Sequence, residues 1–248
     1  MFDQHQIEKF LFFDIETAGI EADFSKLSPR IQEQWLHRAD FLKTQLSQKY
    51  PDNLGKSSED LFAEKAALQA EFGRIVCISF GKVKFSEDGE PTVQILSYTG
   101  SEADILTNAF KLIAGLAKGG LYKLVGHNIK RFDIPFLCKR AFINRVDVPA
   151  PLQVWDKKPW EIPVIDTSEI WSFGAWQEGF TSLDLLSAVL GIPSPKDEMH
   201  GSQVHSEFYS GNILEIQKYC QKDVIALIQI ILSLSNLNQL EESNIIIK

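Results

Sequence analysis

The chain has 248 residues, 44% of them hydrophobic, with 33 acids against 25 Lys and Arg for a formal net charge of -8. That length and apolar content suffice for one large core, so a single domain over 1–248 is expected. The acidic total speaks against binding nucleic acid through bulk charge, and the absence of an apolar run near the roughly 20 residues a span requires speaks against a membrane protein.

Residues 9–19, KFLFFDIETAG, read as a buried strand, because aromatics and Leu fill it. Its end carries Asp14 and Glu16. Side chains two apart on a strand share a face, so both carboxylates aim at one spot. Two like charges that close repel and push one carboxyl to keep its proton. A bound divalent cation removes that conflict, so the pair reads as half of a metal site.

The polar interval from about 21 to 71 holds two helical patterns. Ser28 and Pro29 suit a cap and a first helical position. Apolar residues then recur at Ile31, Trp35, Ala39, Leu42 and Leu46. Residues 50–55, YPDNLG, break the pattern, and Ser58 caps a second helix through Leu61, Phe62, Ala66 and Leu68. The pair is expected to be an insertion at the rim, either a lid over substrate or a packed hairpin without direct function.

Residues 74–85 and 92–99 are expected strands of an antiparallel hairpin around a glycine-containing turn. An amphipathic helix over 101–118 ends at Gly119 and Gly120, and a short apolar strand covers 121–126. The following segment, GHNIKRFDIPFL, turns into a helix near Asp133, with Pro135 in its first turn. Asp133 fits a plain N-cap as well as a ligand. A further strand, IPVID, lies within 161–171, and a helix over 181–190 stops at Gly191 and Pro193. The long final helix, 213–237, puts Tyr219 and Asp223 on one face. Ile216, Ile225 and Ile228 beside them make that face partly buried, where an unpartnered Asp is costly. Taken alone, a hydrogen-bonded Tyr–Asp pair accounts for it. Helices crossing between strands imply an α/β fold, a mixed sheet flanked by helices. Cys77, Cys138 and Cys220 show no C-x-x-C spacing, and the N-terminus lacks a signal-peptide layout. Reduced core thiols and a cytoplasmic location are expected.

D-x-E on the first strand, N-x-x-x-F-D after a later strand and Y-x-x-x-D on the final helix occur in that order. Together they resemble the DEDD superfamily of 3'–5' exonucleases, in the subgroup with tyrosine in the last motif. The chain looks like a stand-alone relative of the proofreading exonuclease domain of family B DNA polymerases, over about residues 10–232, with no length left for a polymerase domain. The helical interval departs from the minimal pattern. The resemblance implies a ribonuclease H-like fold in which Asp14, Glu16, Asp133 and Asp223 bind two divalent cations. Asp14 would bridge both, Asp223 would hold the water-side ion and Asp133 the other. Glu16 and the Tyr219 hydroxyl would orient the attacking water. Oxygen ligands suit Mg²⁺ or Mn²⁺. The implied activity is removal of nucleotides from the 3' end of single-stranded DNA. An RNA-trimming exonuclease and a non-catalytic nucleic-acid-binding module on the same fold are the alternatives. A separate polymerase or repair complex is the protein partner that such a lone exonuclease would fit. An aspartyl phosphatase would need D-x-D and leaves Tyr219 and Asp223 unexplained.

For nucleic-acid contacts, residues 122–145 carry Lys123, Lys130, Arg131, Lys139, Arg140 and Arg145 against one acid, Asp133. Phosphate contacts from this stretch would offset the acidic total, and Lys130 and Arg131 lead because they adjoin Asp133. Asn128 belongs to the same motif, and the resemblance implies that Phe132 and Leu137 wedge the terminal base. Trp171, Phe173, Trp176 and Phe180 either stack on bases or pack in the core, and Lys196 is a further candidate phosphate contact. His200 and His205 read as non-ligands and Asp166 as structural. The tail isoleucines, Ile245, Ile246 and Ile247, could pack or pair with another chain.

Overall fold

The first half of strand β1 (Phe10–Gly19) is apolar because both of its faces are covered: Phe10 and Phe12 pack on one side, Leu11, Phe13 and Ile15 on the other. The computed structural model describes residues 1–44, 51–119, 123–175, 181–194 and 199–248. Leu46, Tyr50, Gly120, Leu121, Tyr122, Trp176, Gly179, Phe180 and Lys196 lie outside the described residues. β1 pairs antiparallel with β2 (Gly73–Phe85), which turns back into β3 (Pro91–Tyr98). On its other side it runs parallel to β4 (Lys123–Gly126), which runs parallel to β5 (Val164–Asp166). The tail isoleucines form β6 (Ile245–Ile247), parallel to β3, so they close the chain's own sheet. The described strands lie in the order β5-β4-β1-β2-β3-β6, a mixed sheet as expected.

A short α1 (Gln4–Ile7) precedes β1. The interval after β1 contains α2 (Pro29–Thr44) and α3 (Ser58–Lys65). They share a small core of their own: Trp35 stacks edge-on against Phe62 at 5.2 Å and Phe72 at 4.9 Å, and its indole N–H donates to the Ser58 carbonyl at 2.7 Å. Ser57 rather than Ser58 caps α3, because its hydroxyl and the Asp60 carboxylate exchange bonds with each other's backbone N–H. Residues 51–55 form a 3-10 turn. The insertion is tied to β1 where the Thr17 hydroxyl donates to the Ala67 carbonyl at 2.7 Å and the Ile20 N–H to Phe72 at 2.9 Å.

One face of the sheet packs on α4 (Glu102–Lys118) and α5 (Asp133–Asn144). Inside that layer Arg140 and Glu102 form a buried, two-pronged ion pair at 2.6 and 2.8 Å. After β5 come α6 (Thr167–Ser172), α7 (Leu183–Val189) and α8 (Val204–Tyr209). The opposite face of the sheet is covered by α9 (Ile213–Leu234) through Val224, Leu227, Ile228 and Ile231. Gly81 of β2 lets α9 come close: a Cβ there would meet Val224 and Ile228 at 2.8 Å. α9 ends three residues before the expected 237, where Asn236 takes a left-handed conformation.

Candidate functional site

Asp14 and Glu16 leave β1 on the face that α9 covers: the Cys220 thiol of α9 lies 3.9 Å from the Asp14 carboxylate and 3.5 Å from its carbonyl. A bulge between β1 and β2 falls immediately after Glu16, at the Glu16–Thr17 step. Bulges recur beside sites because they re-aim side chains. β4 pairs with β1 only up to Phe12, which leaves the rest of that edge open. Asp133 fills it. It is the first residue of α5, with Phe132 in the cap position, so the plain N-cap reading does not hold. Its carboxylate takes the Ile15 backbone N–H instead, which brings it to β1 between Asp14 and Glu16 in sequence.

The loop that delivers Asp133 is fixed by Asp166. This buried carboxylate accepts the Asn128 N–H at 2.8 Å, the Lys130 N–H at 3.2 Å and the Ser168 N–H at 3.0 Å. Asn128 itself turns the chain with a φ of 60°, a conformation that Asn tolerates better than most residues. From α9, Tyr219 and Asp223 complete the cluster, and the Tyr219 hydroxyl donates to Asp223. Glu16, Asp133, Tyr219 and Asp223 are all buried.

The electrostatics show how close these groups lie. Burial, followed by the charges of Asp223 and Asp133, holds Asp14 well above the usual carboxylate range. Burial, then Asp14 and Asp223, does the same to Glu16. Asp133 is pushed up to about 7 by burial, with Asp166 and Asp223 adding to it. Tyr219 is raised by burial and then by Asp223, Glu16 and Asp14. Residues from β1, α5 and α9 thus converge on one spot where their negative charges oppose one another. Their donor set is oxygen, with one thiol: Asp14, Glu16 and Cys220 each offer an atom, all within 4.8 Å of one another. That set fits a divalent cation. Cys220 and its neighbour Cys77 carry no sequence signal beyond burial, so their place beside the acids was not foreseeable.

The expected nucleic-acid contacts fare unevenly. Lys130 is bound to Glu169 at 2.6 Å, Lys139 to Glu71 at 2.9 Å, and Arg140 is buried against Glu102. The basic stretch is therefore largely neutralised by acids distant in sequence. Leu137 is 1% exposed within the core and offers no surface to a base, a correction to the wedge expectation. Phe132 is half-buried against Phe136, with ring centroids 5.5 Å apart, and Arg131 is exposed beside it. Trp171 sits on α6, and Phe173 is 87% exposed. His205 accepts the Gly19 N–H at 3.0 Å, a structural role at the end of β1.

Residues 65–239 match the model of a family described as predicted 3'-5' exonucleases related to the exonuclease domain of PolB. The chain belongs to this family. The match carries Asp133, Tyr219 and Asp223, while Asp14, Glu16 and most of the insertion precede it. It is thus placed among predicted 3'–5' exonucleases, and its mixed six-stranded sheet flanked by helices is the α/β class expected. Solved structures similar to the exonuclease include the family B DNA polymerase of Pyrobaculum calidifontis, at 14% identity and a TM-score of 0.49, covering 92% of this chain and 24% of that one. The E. coli ExoI–ssDNA complex in its zinc-bound form matches at 14% identity and a TM-score of 0.32, covering 87% of this chain and 42% of that one. The exonuclease thus spans less than half of either solved chain. No curated protein matches it. Among the described residues, no helix is long and apolar enough to cross a membrane.

Proposed function

We propose that this exonuclease removes nucleotides from the 3' end of single-stranded DNA, with Asp14, Glu16, Asp133 and Asp223 as ligands of two divalent cations, Mg²⁺ or Mn²⁺. The observation that carries the reading is the convergence of four carboxylates from three elements on one place, each of three of them held above its ordinary pKa. Such repulsion is unfavourable in a folded chain unless the carboxyls keep protons or cations occupy the site. When bound, the ions would lower the pKa of a water and stabilise charge on the attacking and leaving oxygens. The relation to the exonuclease domain of PolB supports DNA as the substrate.

The chain's own groups then divide the work. Asp14, at the centre of the cluster, faces both Asp133 and Asp223. Tyr219 keeps its proton, because its pKa is pushed up by burial and by three carboxylates. It is a donor, and it orients Asp223 and the water beside it rather than removing a proton. Asp166 and Asn128 position the loop that delivers Asp133. The test is digestion of a 5'-labelled single strand, with a matched RNA strand, in Mg²⁺ or Mn²⁺. A ladder shortening from the 3' end of the DNA is expected. Asp14→Ala is expected to reduce it at least about a hundredfold, since even groups that only orient metal ligands cost 10–100-fold. A ladder that Asp14→Ala leaves as strong would remove this site from the chemistry, and faster loss of the RNA would overturn DNA as the substrate.

A further inference from the structure

An open groove of about 780 Å³ runs between the helical insertion and the start of α5. Its insertion wall presents Ile31, Gln34, Arg38 and Phe41 of α2, and its α5 wall presents Arg131 and Phe132. Phe132 on the groove wall is followed directly in the chain by Asp133 of the acid cluster. We propose that this groove is the track for the single strand 5' of the cleaved phosphate, with α2 as a binding wall. The inference rests on the proposed function for the identity of the strand, but its evidence is separate.

Charge is the first part of that evidence. In a chain of net charge -8, the groove lining holds Arg38, Arg131 and Lys139 against a single acid, Glu71. Glu71 is engaged with Lys139 at the rim. Arg38 also lies within the field of Glu71, and its guanidinium donates to the neutral Gln69 amide and lies over the Phe41 ring at 5.1 Å. The second part is the aromatic surface. Phe41 is 42% exposed although it sits on a helix whose other face is packed, and Phe132 presents a partly exposed ring across the groove. A polyanionic strand with stacking bases is the ligand that uses both features. Shape is the third part. From Ile31 to Phe41 the wall extends about 15 Å at 1.5 Å per helical residue, longer than one nucleotide and open to solvent along its length. That suits several residues of a strand better than an enclosed terminal nucleoside.

The test uses the full chain carrying Asp14→Asn, so that binding is read without cleavage, and fluorescence anisotropy of a labelled oligo-dT across a salt series. Arg38→Ala and Phe41→Ala are each expected to weaken binding about tenfold, in line with alanine scans of stacking residues. Arg38→Ala is also expected to flatten the salt dependence by about 0.7 in the log–log slope, the loss of one single-strand phosphate contact. Lys84→Ala, at an exposed site on β2 away from the groove, serves as the charge control. In the protein with Asp14 restored, the KM penalty of either groove variant is expected to fall away as the substrate is shortened to a dinucleotide. Binding that the groove variants leave intact, or that Lys84→Ala weakens equally, overturns the track. So does a penalty that is the same for long and short substrates. If the chain binds oligo-dT through the groove but never cleaves, the proposed chemistry fails and the groove stands. Intact cleavage with no groove effect gives the reverse.

Discussion

Tyr219 shows how much one hydroxyl can carry at this site. It lies four residues before Asp223 on the buried face of α9, and its O–H donates to that carboxylate. Tyr219→Phe keeps the ring and its packing against Val76 and Ile216 and removes only the donor. A hydrogen bond to a charged group contributes about 1.5–3 kcal/mol, so the melting temperature is expected to fall by a few degrees and kcat, if the hydroxyl serves the reaction, roughly ten- to a hundredfold. Steady-state digestion of a labelled strand checks this, and an unaltered kcat would take the hydroxyl out of the mechanism. Arg140 is the opposite case, a residue whose role the sequence hides. It falls in the most basic stretch of the chain, yet it is 6% exposed and pinned between Glu102 and the Ala70 carbonyl. Burial alone would raise Glu102, but Arg140 and the Ile75 N–H hold its carboxyl below the ordinary range. Arg140→Ala strands that charge and is expected to cost about 3–5 kcal/mol of stability, measured by urea denaturation. A loss below 1 kcal/mol would show the pair to be solvated.

At the scale of elements, the site is a matter of strand ends. β4 stops pairing at Phe12, α5 begins at Asp133, and the loop between them is held by one carboxylate, Asp166. Asp166→Ala leaves two loop N–H groups and the α6 cap without their acceptor. It is expected to lower stability by about 2 kcal/mol or more and activity by ten- to a hundredfold through displacement of Asp133. Extra Mn²⁺ should restore part of the activity if Asp133 is only misplaced, and kinetics across a Mn²⁺ titration separates that from loss of chemistry. These elements also mark what the sequence discloses. Apolar, strand-rich composition placed β1 and the β2–β3 hairpin, and helical patterns placed α4 and α9, close to their observed bounds, because each buries apolar side chains in the core. The D-x-E pair and the Tyr–Asp spacing were legible for the same reason. That Asp133 is not a cap was not legible in its own stretch, where only the resemblance singled it out, since its distinguishing bond is to Ile15, far away in sequence. Local charge counting failed at Lys130, Lys139 and Arg140 because their partners, Glu169, Glu71 and Glu102, come from other elements. The tail isoleucines could be read as packing or pairing, and only the fold shows β3 as their partner.

For the molecule as a whole, the acid cluster couples folding to pH and to metal. Asp133 is raised from an ordinary 3.8 to about 7, and Asp14 and Glu16 move in the same direction. Below pH 3.8 the carboxyl of Asp133 is protonated whether the chain is folded or not, and it makes no difference to stability. Between that value and about 7 the folded chain keeps the proton while the unfolded chain has lost it. The folded state then binds more protons, so stability falls as pH rises through this window. Glu102, shifted the other way, loses its contribution only as pH falls below its ordinary 4.5, so it does not mask the trend above that point. Divalent cations held by these oxygens, as proposed, would compete with those protons and would favour the folded chain. At a hundred times its dissociation constant a cation adds about 2.7 kcal/mol. Melting curves in EDTA are therefore expected to shift downward from pH 5 to pH 7.5, and Mn²⁺ to raise them by an amount that grows over the same interval. Asp133→Asn should be more stable than the parent at pH 7.5 in EDTA and respond less to Mn²⁺. A metal-free melting temperature that climbs toward neutrality, or a Mn²⁺ shift that Asp133→Asn leaves untouched, would contradict the coupling.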